Sequence, residues 1–268
     1  MKLQNILSDI EQVDPEVYER LNSRRGLLNL GGKLAAAALP LAFGSSLKKA
    51  YAQTSTNNKI VDVLNFALTL EYLEAEFYNI GMGTPGLIPA EDRLIFAEVQ
   101  MHENAHVAFL RKVLQSLGAR PVEKPRFDFT AKGTFPTVFS SYTTYKLLAQ
   151  AFEDTGVRAY KGQAGNLVGT GAVLEAALNI HSVEARHAAY IRRLNGNKGW
   201  VTFADSTGLP AAIYAGEDQQ IQNERLGPIN AHSGPVLFGI DTMAVTESFD
   251  EPLTKEQVLA IAMPFIVG

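Results

Sequence analysis

The sequence predicts an all-α protein, with a four-helix bundle that has one long crossover and an irregular C-terminal extension. Apolar residues recur at helical spacing in four segments between about residues 57 and 195. The connections within the first and second pairs of segments are short, whereas the connection between the pairs is long and rich in proline and glycine. The 268-residue chain is 46% hydrophobic, which is enough for one medium-sized domain with a full core.

The first 52 residues resemble a twin-arginine export signal. Arg24 and Arg25 precede an apolar run over residues 27–43, and a small-x-small cleavage sequence occupies residues 50–52. The run is shorter than the roughly 20 apolar residues of a membrane span. We therefore expect a periplasmic or otherwise exported protein without a membrane anchor after cleavage. The alternative is a buried helix whose start carries two arginines.

Cap and turn residues set the limits of the four predicted helices. Asn57 or Asn58 begins the first helix, Pro89 begins the second, and glycines follow each helix end. The predicted helices run from residue 57 or 58 to 80, and over 89–117, 137–167 and 172–194.

The long connection over residues 118–136 determines the predicted topology. Fully extended, it spans roughly 60 Å, whereas the second helix is roughly 45 Å long. The connection can therefore cross the whole bundle and make the second and third helices parallel. Two antiparallel hairpins joined by one long crossover is a known bundle arrangement.

Carboxylate and histidine residues interrupt the apolar faces of all four helices on the core side. Two of the helices carry a Glu-x-x-His motif, whose two residues share one helix face. Burying unpaired carboxylates in an apolar core costs several kcal/mol each, or shifts their pKa values, and cations are the simplest compensation. The six candidate ligands are Glu71, Glu103, His106, Glu153, Glu184 and His187.

The two predicted hairpins repeat the same pattern. Tyr78 follows Glu71 by seven residues, as Tyr160 follows Glu153, and we expect both hydroxyls to bind a carboxylate. Helix lengths place the acids at one level in the middle of the bundle. Four carboxylates neutralise two divalent ions, and carboxylates combined with imidazoles suit iron or manganese. The sequence therefore predicts a site for two ions of iron or manganese.

The chain resembles the ferritin-like superfamily of di-metal carboxylate proteins, and most closely a bacterial group that includes desiccation-related proteins. The stretches LNFALTLEYLEAEFY and IHSVEARHAAYIRRL carry this resemblance, within about residues 57–195. The resemblance implies that Glu71 and Glu153 are terminal ligands and that Glu103 and Glu184 bridge the ions. It also implies that His106 and His187 each cap one ion.

Other polar residues near these motifs leave alternatives open. Glu74 competes with Glu71 as a ligand, or lies beside the site, and His181 is an additional candidate. His102 and Glu98 are interpreted as surface or interface residues, and Asp154 as a candidate acceptor that orients a histidine.

We divide the chain into residues 1–52 (signal), 53–195 (bundle) and 196–268 (extension packed on the bundle). Thr254 is expected to cap a short helix in the extension, with Gln257 completing a capping box.

Two classes of function fit these features. One is a di-iron or di-manganese oxidoreductase acting on oxygen or peroxide, as an oxidase or a catalase-like enzyme. The other is a non-enzymatic desiccation or stress-protection protein with a structural or vestigial metal site, and iron storage is a weaker third. The absence of cysteine excludes thiolate metal sites. A net charge of -4 without a basic block argues against nucleic acid as a partner, and the sequence allows a homo-oligomer.

Overall fold

A computed structural model of the protein describes residues 54–204, 208–219, 221–222, 229–230 and 242–267. The predicted all-α four-helix bundle is confirmed. Its helices are α1 Thr54–Gly83, α2 Arg93–Ser116, α3 Tyr142–Ala164 and α4 Ala172–Leu194. The predicted export signal lies outside the described residues. Within the described part of the chain, each helix is too short or too polar to cross a membrane.

Three predicted helix starts were wrong. The first helix begins at Thr54 instead of Asn57 or Asn58, so both asparagines lie inside it. Residues 89–92 form a turn in which the amide of Asp92 donates to the carbonyl of Pro89, so α2 begins at Arg93 instead of Pro89. The third helix begins at Tyr142 instead of residue 137, because the hydroxyl of Ser141 caps it by accepting from the amide of Thr144. The helix predicted to continue to residue 167 ends at Ala164, and a turn of 3-10 helix, Gly165–Leu167, follows it.

Contacts at the two ends of the bundle show that α2 and α3 are parallel, as predicted. At one end, the hydroxyl of Tyr142 at the start of α3 donates to Asp92 at the start of α2 over 2.5 Å. At the other end, the amide of Val122, just after α2, donates to Asn65 near the start of α1 over 2.8 Å. Leu167, just after α3, packs in the same apolar cluster as Ile60. The connection between α2 and α3 therefore runs from one end of the bundle to the other.

Two apolar clusters fill the bundle and lie on either side of its middle. One is rich in stacked aromatic rings, including Phe77 and Tyr145, whose centroids are 4.6 Å apart. The other is aliphatic and includes Leu68 and Leu114. On α2, residues of the aromatic cluster precede the Glu-x-x-His motif and residues of the aliphatic cluster follow it. On α4, this order is reversed. The polar ligand candidates are therefore enclosed between two apolar layers.

The C-terminal extension is irregular, as predicted, and several of its described residues contact the bundle. Its described residues form the short helices α5 Thr242–Glu247 and α6 Lys255–Ala262, and the capping box of Thr254 and Gln257 is present. A two-stranded pairing joins the crossover, at β1 Arg126–Phe127, to the chain end, at β4 Ile266–Val267. The remaining short elements are 3-10 turns at Ala211–Tyr214 and Met263–Phe265 and a pairing of β2 Ile221–Gln222 with β3 Ile229–Asn230.

A buried arginine on α3 attaches this extension to the bundle. The guanidinium of Arg158 forms an ion pair of 2.9 Å with Glu217 and donates to the carbonyls of Ile213, Ala215 and Glu251. Both side chains of the ion pair are at most 3% exposed. The arginine thus satisfies three carbonyls of irregular backbone that would otherwise be buried without partners.

Candidate metal centre

The structure brings all six predicted ligands into one cluster between the four helices. One carboxylate comes from α1 and one from α3, and a Glu-x-x-His pair comes from each of α2 and α4. Residues three apart lie on one helix face, so both members of each pair point inward. Each of the four glutamates is 0% exposed, and the cluster consists of Glu71, Glu103, His106, Glu153, Glu184 and His187.

The cluster consists of two overlapping groups of residues. Within each group, the potential ligand atoms all lie within 4.8 Å of one another. Glu103 and Glu184 belong to both groups. The first group adds Glu71 and His106, and the second adds Glu153 and His187. The two shared glutamates are the residues to which the family resemblance assigns a bridging role.

The shared glutamates direct one oxygen toward each histidine. Nδ1 of His106 lies 3.2 Å from Oε2 of Glu103 and 3.2 Å from Oε1 of Glu184. Nδ1 of His187 lies 2.9 Å from Oε1 of Glu103 and 3.7 Å from Oε2 of Glu184. The two carboxylates therefore span the space between the imidazoles, as bridging ligands would.

Two tyrosines hold the other two carboxylates from the opposite hairpin. The hydroxyl of Tyr78 on α1 donates to Oε1 of Glu153 on α3, and the hydroxyl of Tyr160 on α3 donates to Oε1 of Glu71 on α1. The prediction that both hydroxyls bind a carboxylate is confirmed. The second oxygen of each carboxylate faces a histidine, with Oε2 of Glu71 lying 3.2 Å from His106 and Oε2 of Glu153 lying 3.3 Å from His187.

Several ligand atoms in the cluster are buried and make no hydrogen bond of acceptable geometry. Buried polar atoms in folded proteins nearly always have a partner, and an exception points to a bound ion or water. The atoms are carboxylate oxygens and one imidazole nitrogen, which is the donor set that suits iron and manganese. They are Oε1 of Glu103, Oε2 of Glu153, both oxygens of Glu184 and Nδ1 of His187. The residues present therefore fit a site for metal ions.

The electrostatics of the metal-free cluster show how strongly the acids and histidines interact. Burial and the charge of Glu184 raise the pKa of Glu103 well above its usual value. Burial alone would raise the pKa of Glu184 as well, but the two imidazoles lower it to about 2. Burial lowers the pKa of His187, but the nearby carboxylates outweigh this effect and raise it to about 12. The carboxylates also hold the pKa of His106 far above its usual value.

Glu74 is buried beside the cluster but belongs to neither group of ligand atoms. It lies three residues after Glu71, and the matching position of the second hairpin, three residues after Glu153, is Gly156. A Cβ atom on Gly156 would lie 3.1 Å from Oε1 of Glu74 and 3.7 Å from Oε2 of Glu184. Because Gly156 has no side chain, the carboxylate of Glu74 has room to lie against α3. Burial and the charge of Glu184 raise the pKa of Glu74, which favours its neutral form.

One interpretation from the sequence was incomplete and one was wrong. His102 is half exposed, as expected, but its Nδ1 also lies 2.9 Å from Nε2 of His187. Asp154 does not orient a histidine; it accepts from Arg192 over 2.9 Å and from Tyr214 over 2.6 Å. The sequence spacing held no signal for either contact, since both partners come from other segments. His181 is partly buried and lies outside both ligand groups.

These features define a helical bundle protein with a buried carboxylate–histidine cluster that is compatible with a di-metal site. Residues 59–197 match the sequence model of a family described as a ferritin-like domain, and the chain belongs to that family. A search among curated proteins finds no significant match.

Proposed function

We propose that the cluster binds two divalent ions, iron or manganese, and that the loaded centre carries out redox chemistry on oxygen or peroxide in stress defence. The observation that carries this proposal is the group of buried ligand atoms without hydrogen-bond partners, with Glu103 and Glu184 common to both sides. Leaving a buried polar atom without a partner costs about 1–3 kcal/mol. Cations bound between the carboxylates would offset this cost.

Charge balance supports two ions instead of one. Four buried carboxylates carry four negative charges when ionised, and two divalent ions neutralise them. The ions would sit on either side of the pair Glu103 and Glu184, with one histidine each. Two adjacent redox-active ions would supply two electrons to a small oxygen species.

The chain's own residues hold the candidate ligands in place and bury them. The hydroxyls of Tyr78 and Tyr160 fix one oxygen of each terminal carboxylate, and the other oxygen faces a histidine of the cluster. The glutamates are fully buried, and the side chain of His106 is only 12% exposed. Such an enclosed site favours substrates as small as oxygen or hydrogen peroxide.

A second candidate is a non-enzymatic stress-protection protein with a structural or vestigial metal site. The observation that favours it is the raised pKa of His187, about 12, produced by carboxylates that outweigh the effect of burial. An imidazolium at this position can neutralise part of the carboxylate charge without any metal.

The test is a peroxide-consumption and oxygen-consumption assay on protein purified without chelators and loaded with iron(II) or manganese(II). We expect turnover by the loaded protein and none by the loaded variant Glu184→Ala, which lacks one shared ligand. Metal binding without any turnover would favour the stress-protection candidate.

We also propose that the protein is exported folded, with a mature chain beginning near Gln53. The support is the pair Arg24-Arg25 before the apolar run and the small residues at 50 and 52. Replacing both arginines by lysine should leave the precursor in the cytoplasm. An unchanged exported yield would contradict the twin-arginine route.

A further inference from the structure

One histidine of the metal centre contacts a second histidine that is half exposed. Nδ1 of His102 on α2 lies 2.9 Å from Nε2 of His187 on α4. The two rings lie edge to edge and are nearly coplanar, with centroids 5.2 Å apart and planes inclined by 9°. The other nitrogen of His187, Nδ1, lies 2.9 Å from Oε1 of Glu103. The two nitrogens of His187 therefore face different groups, the carboxylates of the cluster on one side and an imidazole on the other.

This arrangement determines which nitrogen of His187 can bind a metal. A neutral imidazole carries a hydrogen on one nitrogen and an available lone pair on the other. A hydrogen-bond acceptor next to one nitrogen keeps the hydrogen there and leaves the other nitrogen able to bind a metal. If Nε2 donates its hydrogen to Nδ1 of His102, the lone pair of Nδ1 faces the carboxylates. Nε2 of His102 then carries a hydrogen and faces Glu98, whose carboxylate lies 3.9 Å away.

The second histidine of the centre has no such support. Nδ1 of His106 faces Glu71, Glu103 and Glu184, but none of the described residues hydrogen bonds to its Nε2. His102 directly precedes Glu103, and the matching residue before Glu184 is Val183, which cannot form such a bond. The repeat that supplies the six ligands is thus broken at this position.

We propose that His102 is a positioning residue, which holds the ring of His187 so that Nδ1 faces the metal and thereby raises the affinity of the ion on that side. The inference rests on the proposed function. Residues that orient a metal-binding histidine commonly change metal affinity by about 10–100-fold when they are replaced. The two ions are consequently bound with unequal affinity, and the ion next to His187 depends on a residue that ligates nothing.

The experiment is a calorimetric titration of the metal-free full chain with manganese(II). His102→Phe keeps an aromatic ring at this position but has no polar atom, whereas His102→Asn puts a polar atom near the place of Nδ1. Met101→Ala is the matched control, because this neighbouring side chain is 56% exposed. Thermal melting of each metal-free variant shows separately whether the fold is retained.

We expect His102→Phe to lose about 10–100-fold in affinity at one of two binding steps, with the other step unchanged. His102→Asn and Met101→Ala should bind like the unmodified protein, and all metal-free melting temperatures should agree. Equal binding constants for His102→Phe and the unmodified protein would overturn the inference, as would equal losses in the Phe and Asn variants. If the unmodified chain itself binds no manganese, the proposed function fails first and this inference fails with it.

Discussion

The hydroxyl of Tyr78 on the first hairpin donates a hydrogen bond to Glu153 on the second. The reverse bond, from Tyr160 to Glu71, is also present. Each hairpin therefore contributes a carboxylate that the other hairpin holds. This exchange joins the two repeats through the candidate ligands themselves.

Removing either hydroxyl should destabilise the metal-free protein. Tyr78→Phe or Tyr160→Phe leaves a buried carboxylate without its donor, and each change should lower the free energy of unfolding by about 1–3 kcal/mol. Chemical denaturation in the presence of a chelator measures this effect. Tyr190→Phe is the control, since Tyr190 is 42% exposed and should have little effect. Equal stabilities for all three variants would show that the crossed pairs contribute nothing.

A glycine on α3 controls how closely the extension packs on the bundle. A Cβ atom on Gly162 would lie 1.9 Å from the backbone carbonyl oxygen of Leu253. Gly162→Ala must therefore displace the segment before α6, and we expect a loss of about 1–3 kcal/mol in the free energy of unfolding.

The matched control is Gly165→Ala, at the end of the same helix. A Cβ atom there meets nothing within 4 Å, and the backbone φ angle is -61°. This change should be neutral or stabilising by about 0.4–1 kcal/mol, because alanine restricts the unfolded chain. The same response to both substitutions would contradict the close packing at Leu253.

Metal binding at neutral pH should release protons. The pKa of His187 is raised to about 12 and that of His106 is also raised, so both imidazoles carry an extra proton in the metal-free state. An imidazole must be neutral and a carboxylate ionised to bind a metal, so we expect at least two protons to leave per chain when both ions bind. Calorimetry in buffers with different ionisation enthalpies counts these protons. Binding without proton release would contradict the assigned histidine ligands.

The metal-free protein should lose stability as the pH rises above about 6.5. The folded-state pKa of His187, about 12, is above its ordinary value of 6.5, so the stability that its proton contributes is complete below pH 6.5. It is then lost progressively as the pH rises toward 12. Denaturation curves between pH 6.5 and 9 should show this decrease, and His187→Gln should weaken it. A flat profile for the unmodified protein would contradict the charge pairing.

The bundle and its six inward residues could be predicted because both depend on local periodicity. Three-residue spacing places the Glu and His of each motif on one face, and the repeat between hairpins makes a chance match improbable. The long crossover could be predicted from the reach of its residues alone.

Contacts that depend on how helices rotate against each other could not be predicted. His102 lies on α2 and His187 on α4, and spacing along one helix holds no information about a contact between two helices. Asp154 binds Tyr214, which lies in the irregular extension where no periodic pattern marks the partner. The helix starts predicted at Pro89 and residue 137 were wrong because backbone hydrogen bonds form separate turns there, just before each helix.

The most direct test of the central claim is the number of metal ions that the purified chain binds. Equilibrium dialysis against iron(II) under anaerobic conditions, or against manganese(II), followed by elemental analysis gives this number. We expect two ions per chain for the unmodified protein and for Glu76→Ala, whose carboxylate is paired with Lys124 at the surface. Glu184→Ala removes a ligand from both groups and should bind neither ion at the same concentrations. An unmodified chain that binds no iron and no manganese, or a Glu184→Ala variant that still binds two ions, would contradict the account.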